Sequence, residues 1–164
     1  MELVICDLDD TLRSTAHRHK YCPWCGKSGL TAAEFFEMGK DDPPIPGTVK
    51  LLRMLHIMYP VHIMTMIPYD FREPTAAWLA RHAVRYDQLH MLGPAAGHYT
   101  PGMSAAKLKT AYIKEMLASG YNELALFIDD LKSTCDAVAE LGPVLHVKAP
   151  ACDDEDCQCE LQRR

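Results

Sequence analysis

The stretch "LVICDLDDTLRS", residues 3–14, decides how the rest of the chain is read. Leu3 to Cys6 form a short apolar run with no polar alternation, the pattern of a strand buried on both faces in a parallel sheet. Asp7, Asp9 and Asp10 follow at once, three carboxylates in four positions, and then Thr11. A lone acidic cluster of this kind is as readily a solvated turn as a site. Its meaning depends on whether other strands deliver similar groups to the same end of a sheet.

Outward from this stretch, strand-like and helix-like segments alternate. A polar stretch rich in His, Lys and Cys covers 13–30, and Thr31 then stands three residues before Glu34, a capping-box spacing that opens a helix over 31–38. The prolines of "DDPPIPG", 41–47, break that helix. Apolar residues recur at helical spacing in "TVKLLRMLHIM", 48–58, and Pro60 ends that run. "VHIMTM", 61–66, reads as a second strand, "PTAAWLARHA", 74–83, as a helix with proline in its first turn, and "DQLHM", 87–91, as a third strand. Glycine and proline punctuate 93–102. A helix over 104–118, the strand "ELALFID" at 123–129, a helix over 133–141 and the strand "VLHV" at 144–147 complete the pattern. Such alternation predicts an α/β fold, a Rossmann-like three-layer sandwich around a central parallel sheet. Ligands of these sheets bind beyond the carboxyl ends of the strands. There fall Asp7 and Asp9, Thr65 after the second strand, and Asp129 and Asp130 after "ALFI".

A chain of 164 residues, 48% apolar and 24% charged, suits one globular domain with its own core. The expected division is a domain over 1–150, with an insert at 13–45, and a Cys-rich acidic tail at 151–164. The net charge of −5 gives no footprint for binding long duplex nucleic acid, although much of the acidity sits in the tail. Met1 and Glu2 lead straight into the first strand with no leader-like segment, and no apolar run is long enough to span a membrane, so a soluble cytoplasmic protein is expected.

Carboxylates brought to one crevice by two strands repel one another unless a cation binds them. Hard oxygen ligands in small number, with room left for water, suit Mg²⁺ held together with a phosphate.

These residues carry a resemblance. "DLDDT" (7–11) resembles motif I of the haloacid dehalogenase superfamily, Thr65 fits its motif II, a lysine at 107 or 109 its motif III, and Asp129 and Asp130 its motif IV, all in the right order. Lys109 has the better helical frame of the two lysines. The resemblance implies an aspartyl nucleophile, Asp7, with Asp9 as acid and base, and Thr65 and a lysine on the phosphoryl group. It implies Mg²⁺ held by Asp7, Asp9, Asp129 and Asp130, and a small insert after motif I in place of a large cap. Candidate substrate-binding residues are Thr11, Arg18, Thr65, Met66, Arg72 and Lys107. Asp10, where the family often has glycine, is expected to be a plain turn residue.

A closer similarity is to the phosphatase domain of bacteriophage polynucleotide kinase and its small stand-alone phage relatives. It rests on Arg18 within "HRHKY", on "AAEFFEMGKDDPPIPGTVKLL" and on "WLARHAVRYDQLHM". Those relatives remove terminal phosphates, including 3'-phosphates of nucleic-acid ends. Here Met66 and Ile67 replace a "GR" that usually follows motif II, and Leu131 replaces a common arginine, with Arg72 or Lys132 as stand-ins. The expected substrate is a polynucleotide end or a nucleotide. The alternatives are a small phosphate ester, or a non-catalytic, zinc-organised binding module on the same scaffold.

Zinc enters through the cysteines. "YCPWCGK", 21–27, and "CDDEDCQC", 152–159, allow a tetrahedral site from Cys22 and Cys25 with two of Cys152, Cys157 and Cys159, or with His17 or His19 replacing one. A redox pair and free thiols are the other readings. Cys6 and Cys135 fall in a strand and a helix, where buried free thiols are common. His62, His146, Trp78 and Met54, Met64 and Met66 read as packing residues.

Overall fold

Alternation along the first strand sets up two cores. In the computed structural model, which describes residues 2–23, 29–93, 104–121 and 123–149, strand β1 (Glu2–Cys6) is buried from Leu3 onward. Successive side chains of a strand point to opposite faces. Leu3 and Ile5 accordingly pack with Met64, Leu108, Ile113 and Phe127 on one face, and Val4 and Cys6 with Leu52, Ile63, Trp78 and Leu79 on the other.

The five strands, β1, β2 (Val61–Thr65), β3 (Gln88–Met91), β4 (Glu123–Asp129) and β5 (Val144–His146), form one sheet in the order β3-β2-β1-β4-β5, and every pairing is parallel. The helices are α1 (Ala32–Glu37), α2 (Pro46–Leu55), α3 (Arg72–Arg81), α4 (Ala105–Ser119) and α5 (Lys132–Val138). Residues of α2 and α3 supply one core, and residues of α4 and α5 the other. This is the expected α/β sandwich. The chain builds outward through β2 and β3, then returns to the far side of β1 for β4. The crevice at the carboxyl ends of β1 and β4 is therefore the point where the strand order reverses, the place where open parallel sheets bind ligands.

The register of β1 against β4 is shifted by one residue. Leu3 pairs with Leu124 but Val4 with Leu126, leaving Ala125 as an extra residue in β4. Leu124 and Phe127 then join the core of Leu3 and Ile5, while Ala125 and Leu126 both turn to the opposite one. Downstream, Cys6 lies level with Ile128, so Asp7 and Asp129 fall side by side on the same face.

Local signals behave as expected at α1, where Thr31 Oγ1 accepts from Glu34 N (3.2 Å) and Glu34 Oε2 accepts from Thr31 N (2.8 Å), closing the capping box. Two expectations change. Met54 is 58% exposed rather than packed, because the buried stripe of α2 runs through Thr48, Val49 and Leu52 and misses it. Asp10 is a turn residue, with the left-handed φ of 59° that glycine favours, but it is fully buried rather than solvated. Its two oxygens accept from Thr15 N (2.8 Å) and Thr15 Oγ1 (2.7 Å). Among the described residues, no helix is long and apolar enough to cross a membrane.

Gly93, after β3, lies against the loop that leaves β2. A Cβ there would stand 2.3 Å from Pro68 N and 2.5 Å from Pro68 Cα. Gly93→Ala is expected to cost about 1–3 kcal/mol of stability by forcing backbone apart, read as a lower denaturant midpoint in equilibrium unfolding.

Candidate active site

The end of β1 becomes a tight turn because Leu8 O accepts from the backbone N–H of Thr11, Leu12 and Arg13 at 2.8–3.3 Å. That turn leaves Asp7 at the strand end and swings Asp9 to the mouth of the crevice. From α4, Lys109 reaches over the sheet: its Nζ donates to Asp7 Oδ1 at 2.6 Å and to Asp129 Oδ2 at 2.7 Å. Leu131 N donates to the other oxygen of Asp129 at 2.8 Å, and Thr11 Oγ1 approaches Asp130 Oδ1 at 3.5 Å. Asp7, Asp129 and Asp130 each place a carboxylate oxygen within 4.8 Å of the others.

Two groups in this cluster are strongly perturbed. Burial pushes the Asp7 carboxyl from its usual value near 3.8 up to about 7; Lys109 opposes the shift and the Asp129 and Asp9 charges add to it. Lys109 moves further into the cationic range, since the pull of Asp129 and Asp7 outweighs the cost of its burial. At Asp9 burial raises the pKa, but Arg13 and Arg18 together outweigh it and hold the carboxyl below its ordinary range.

A cavity of about 560 Å³ opens over the cluster. Asp7, Asp9, Thr65, Lys109 and Asp130 line its polar end, and Phe35, Phe36, Met66, Ile67 and Leu131 give it an apolar wall. Asp7, Thr65, Lys109, Asp129 and Asp130, which come from four separate segments, are thus brought together. Thr65 Oγ1 also accepts from Ile67 N at 3.3 Å, which holds the turn after β2.

Other expected site residues lie elsewhere. Lys107 is exposed on α4, where its N–H caps onto Ser104 Oγ (3.3 Å), and Arg72 donates to Leu89 O at 2.8 Å, so neither lines the cavity. Lys132 pairs with Asp136 on the surface. Thr11 is buried beneath the cavity instead of lining it. The carboxylate of Asp9 is not part of the three-acid cluster; Arg13 Nε donates to its Oδ1 at 2.6 Å. Arg18 does line the cavity, yet it is fully buried and its guanidinium is committed to Asp42. The sequence assigns no site role to Arg13, nor to Asp42 and the Phe35–Phe36 pair, although these last lie in the stretch that carries the phage likeness. The buried use of Asp42 has no local signature, since proline-flanked acids are ordinarily exposed turn residues.

Cys22 is buried against the cavity, while Cys25, Cys152, Cys157 and Cys159, like the whole tail, lie outside the described residues. His17 and His19 direct Nε2 to Asp42 Oδ1 (2.7 Å) and Thr15 Oγ1 (2.6 Å). Cys6 and Cys135 are buried free thiols. His62 is packed and bonded to His90 and Tyr121, whereas His146, exposed at the sheet edge, bonds Asp130 O at 2.9 Å.

The raised pKa of Asp7 has a sign. Between pH 4 and 7 the folded protein binds this proton more readily than the unfolded chain, so rising pH lowers stability through this group. In metal-free protein, the melting temperature of Asp7→Asn should therefore rise relative to wild type across that window. Mg²⁺ should stabilise wild type, and this gain should vanish in Asp129→Asn; thermal scans with and without Mg²⁺ check both.

No protein-family model matches the chain, and no curated protein matches it. Solved structures do. A chain of the Pnkp1/Rnl/Hen1 RNA repair complex superimposes with a TM-score of 0.65 at 23% identity over 93% of this chain; the match spans 43% of that chain's length. A haloacid dehalogenase-like family hydrolase from Streptococcus pneumoniae gives 0.58 at 20% identity, covering 97% of this chain and 90% of its own. D,D-heptose 1,7-bisphosphate phosphatase from B. bronchiseptica, complexed with magnesium and phosphate, gives 0.56 at 14% identity, covering 98% and 97%. At these identities the shared property is architecture: the chain has a haloacid dehalogenase-like fold.

Proposed function

We propose that the protein is a Mg²⁺-dependent phosphomonoester hydrolase that works through an aspartyl-phosphate on Asp7. The observation that carries this reading is Lys109 Nζ, held at 2.6 Å from Asp7 and 2.7 Å from Asp129 with a third acid alongside. An arrangement of three buried carboxylates around one cation is costly unless it serves binding.

Asp7, Asp129 and Asp130 are hard oxygen donors close enough to share one ion, and they fit Mg²⁺. When bound, Mg²⁺ would neutralise charge on these acids and on the substrate phosphate. The chain's own residues do the rest. An Asp7 oxygen attacks phosphorus and the bond to the ester oxygen breaks; the leaving oxygen takes a proton from Asp9. Asp9, now ionised, takes a proton from water as that water attacks phosphorus, the bond to Asp7 breaks, and phosphate departs. Thr65 and Lys109 hold phosphoryl oxygens and keep the developing charge stable. The arginines beside Asp9 favour its ionised form, which suits the second half of the cycle. In the first half Asp9 must arrive protonated, so leaving groups that need a proton make the greater demand on it.

For substrate, the reading is a polynucleotide end bearing a 3'-phosphate, or a nucleotide. The likeness to a chain of an RNA repair complex and the phage-phosphatase character of the sequence support it, as does a cavity far larger than a phosphate with an aromatic wall. A small phosphate ester is the rival, favoured by the commitment of Arg72 to Leu89 O and by the net charge of −5.

Asp7→Asn should lower Mg²⁺-dependent phosphate release by at least about a thousandfold, and full activity in that variant would refute the mechanism. The acid limb of kcat/KM should fall below about pH 7 and move to lower pH as Mg²⁺ is raised, because a cation favours the carboxylate form of Asp7. Across 3'- and 5'-phosphorylated oligonucleotides, mononucleotides and sugar phosphates, kcat/KM should be greatest for the 3'-phosphorylated oligonucleotide. Preference for sugar phosphates would overturn the nucleic-acid reading.

A further inference from the structure

Beside the cavity lies a second charge cluster centred on Asp42. Asp42 does not line the cavity, and its side chain is fully buried. Arg18 grips it with Nε at 2.9 Å from Oδ1 and Nη2 at 2.7 Å from Oδ2. Arg13 Nε lies 3.2 Å from Oδ2, and His17 Nε2 2.7 Å from Oδ1. Its backbone carbonyl accepts from Trp78 Nε1 at 2.7 Å, which ties the cluster to the core.

The same two arginines also contact Asp9. Arg13 Nε is 2.6 Å and Arg18 Nη2 3.4 Å from Asp9 Oδ1, so both contacts fall on one oxygen. The other oxygen has no hydrogen-bond partner among the described residues. Two guanidinium groups thus face two carboxylates, one in the cavity and one beside it. Both arginines are nearly inaccessible to water, so their charges need nearby anions. Were Asp42 neutral, Asp9 would be the one acid still in direct contact with both, and Arg18 would close on it, drawing its carboxylate away from the cavity.

We infer that Asp42 is a positioning residue for Asp9: by holding Arg13 and Arg18, it leaves one oxygen of Asp9 turned to the substrate. The inference rests on the phosphatase reading above. It gives Arg18, expected from sequence to touch substrate, a role through Asp9 instead. It also explains Gly39, where a Cβ would stand 2.8 Å from Arg13 Nη2 and 3.2 Å from its Cζ, pushing the guanidinium out of line.

The test uses an aryl phosphate, whose leaving group departs without a proton, and follows release of the aryl alcohol in the presence of Mg²⁺. Loss of Asp9 alignment then slows breakdown of the aspartyl-phosphate more than its formation. Asp42→Asn should show a burst approaching one equivalent and a kcat at least about tenfold below wild type, with KM falling alongside so that kcat/KM is nearly unchanged. Gly39→Ala, which removes no charge, should show the same pattern more weakly, and it serves if Asp42→Asn fails to fold. In an Asp9→Asn background, Asp42→Asn should add no further slowing, since both act on one group. A merely structural role would shrink the burst and the steady state in proportion, or multiply the two losses, and either result overturns the inference. If instead wild type lacks Mg²⁺-dependent turnover, or Asp7→Asn retains it, the phosphatase reading itself has failed.

Discussion

The site depends on the register between β1 and β4. Parallel strands side by side present alternate residues to each face, so a one-residue slip moves every later side chain to the opposite layer. With Leu3 level with Leu124, an unbroken ladder would set Asp7 level with Ile128 and send Asp129 to the face of Val4 and Cys6. The extra residue Ala125 changes that parity just before the apolar trio Leu126–Ile128. Asp7 and Asp129 become neighbours under α4, where Lys109 can touch both. The bulge is therefore what makes a site out of two acidic strand ends.

That proximity is unfavourable in itself. Asp7 is 6% exposed and Asp129 not at all, and burial, with the neighbouring acid charges adding to it, drives the Asp7 carboxyl to about 7 even against Lys109. One buried lysine offsets part of the repulsion. On the proposed phosphatase reading, the stability given up by accumulating acids in this way serves to hold a cation and an anion in the crevice. The second cluster, of Arg13, Arg18, Asp9 and Asp42, is charge-balanced by comparison, and all of it but Asp9 is nearly inaccessible to water. On these proposals the two clusters divide the work: one gathers negative charge for binding, while the other keeps a single carboxylate in place at its edge.

Much of the architecture was legible in the residues. "LVIC", "VHIMTM" and "ELALFID" are apolar runs of strand length, and the strands Glu2–Cys6, Val61–Thr65 and Glu123–Asp129 coincide with them to within one residue at either end. Thr31 and Glu34 announced the start of α1 through a contact three residues long. Helix ends were less legible. The helical run at 48–58 ends at Leu55, and α3 begins at Arg72, two residues before the proline that suggested its start. Lys109 and Lys107 could be ranked by helical frame, but their fates, one buried between acids and one in solvent, follow from how α4 lies on the sheet.

Local pattern determined what could be determined locally: strands, helices, capping, and acids at strand ends in a set order. Chemistry that depends on spacing within a few residues is written in sequence, because the chain itself supplies the geometry. The parity of β4, the burial of Asp10 and the commitment of Arg18 to Asp42 across 24 positions are different in kind. Each is settled by which segment packs against which, and the same residues in another packing would be a solvated turn, a surface arginine and an ordinary loop acid. Tertiary structure decided them because a buried charge takes whatever partner the fold brings within reach.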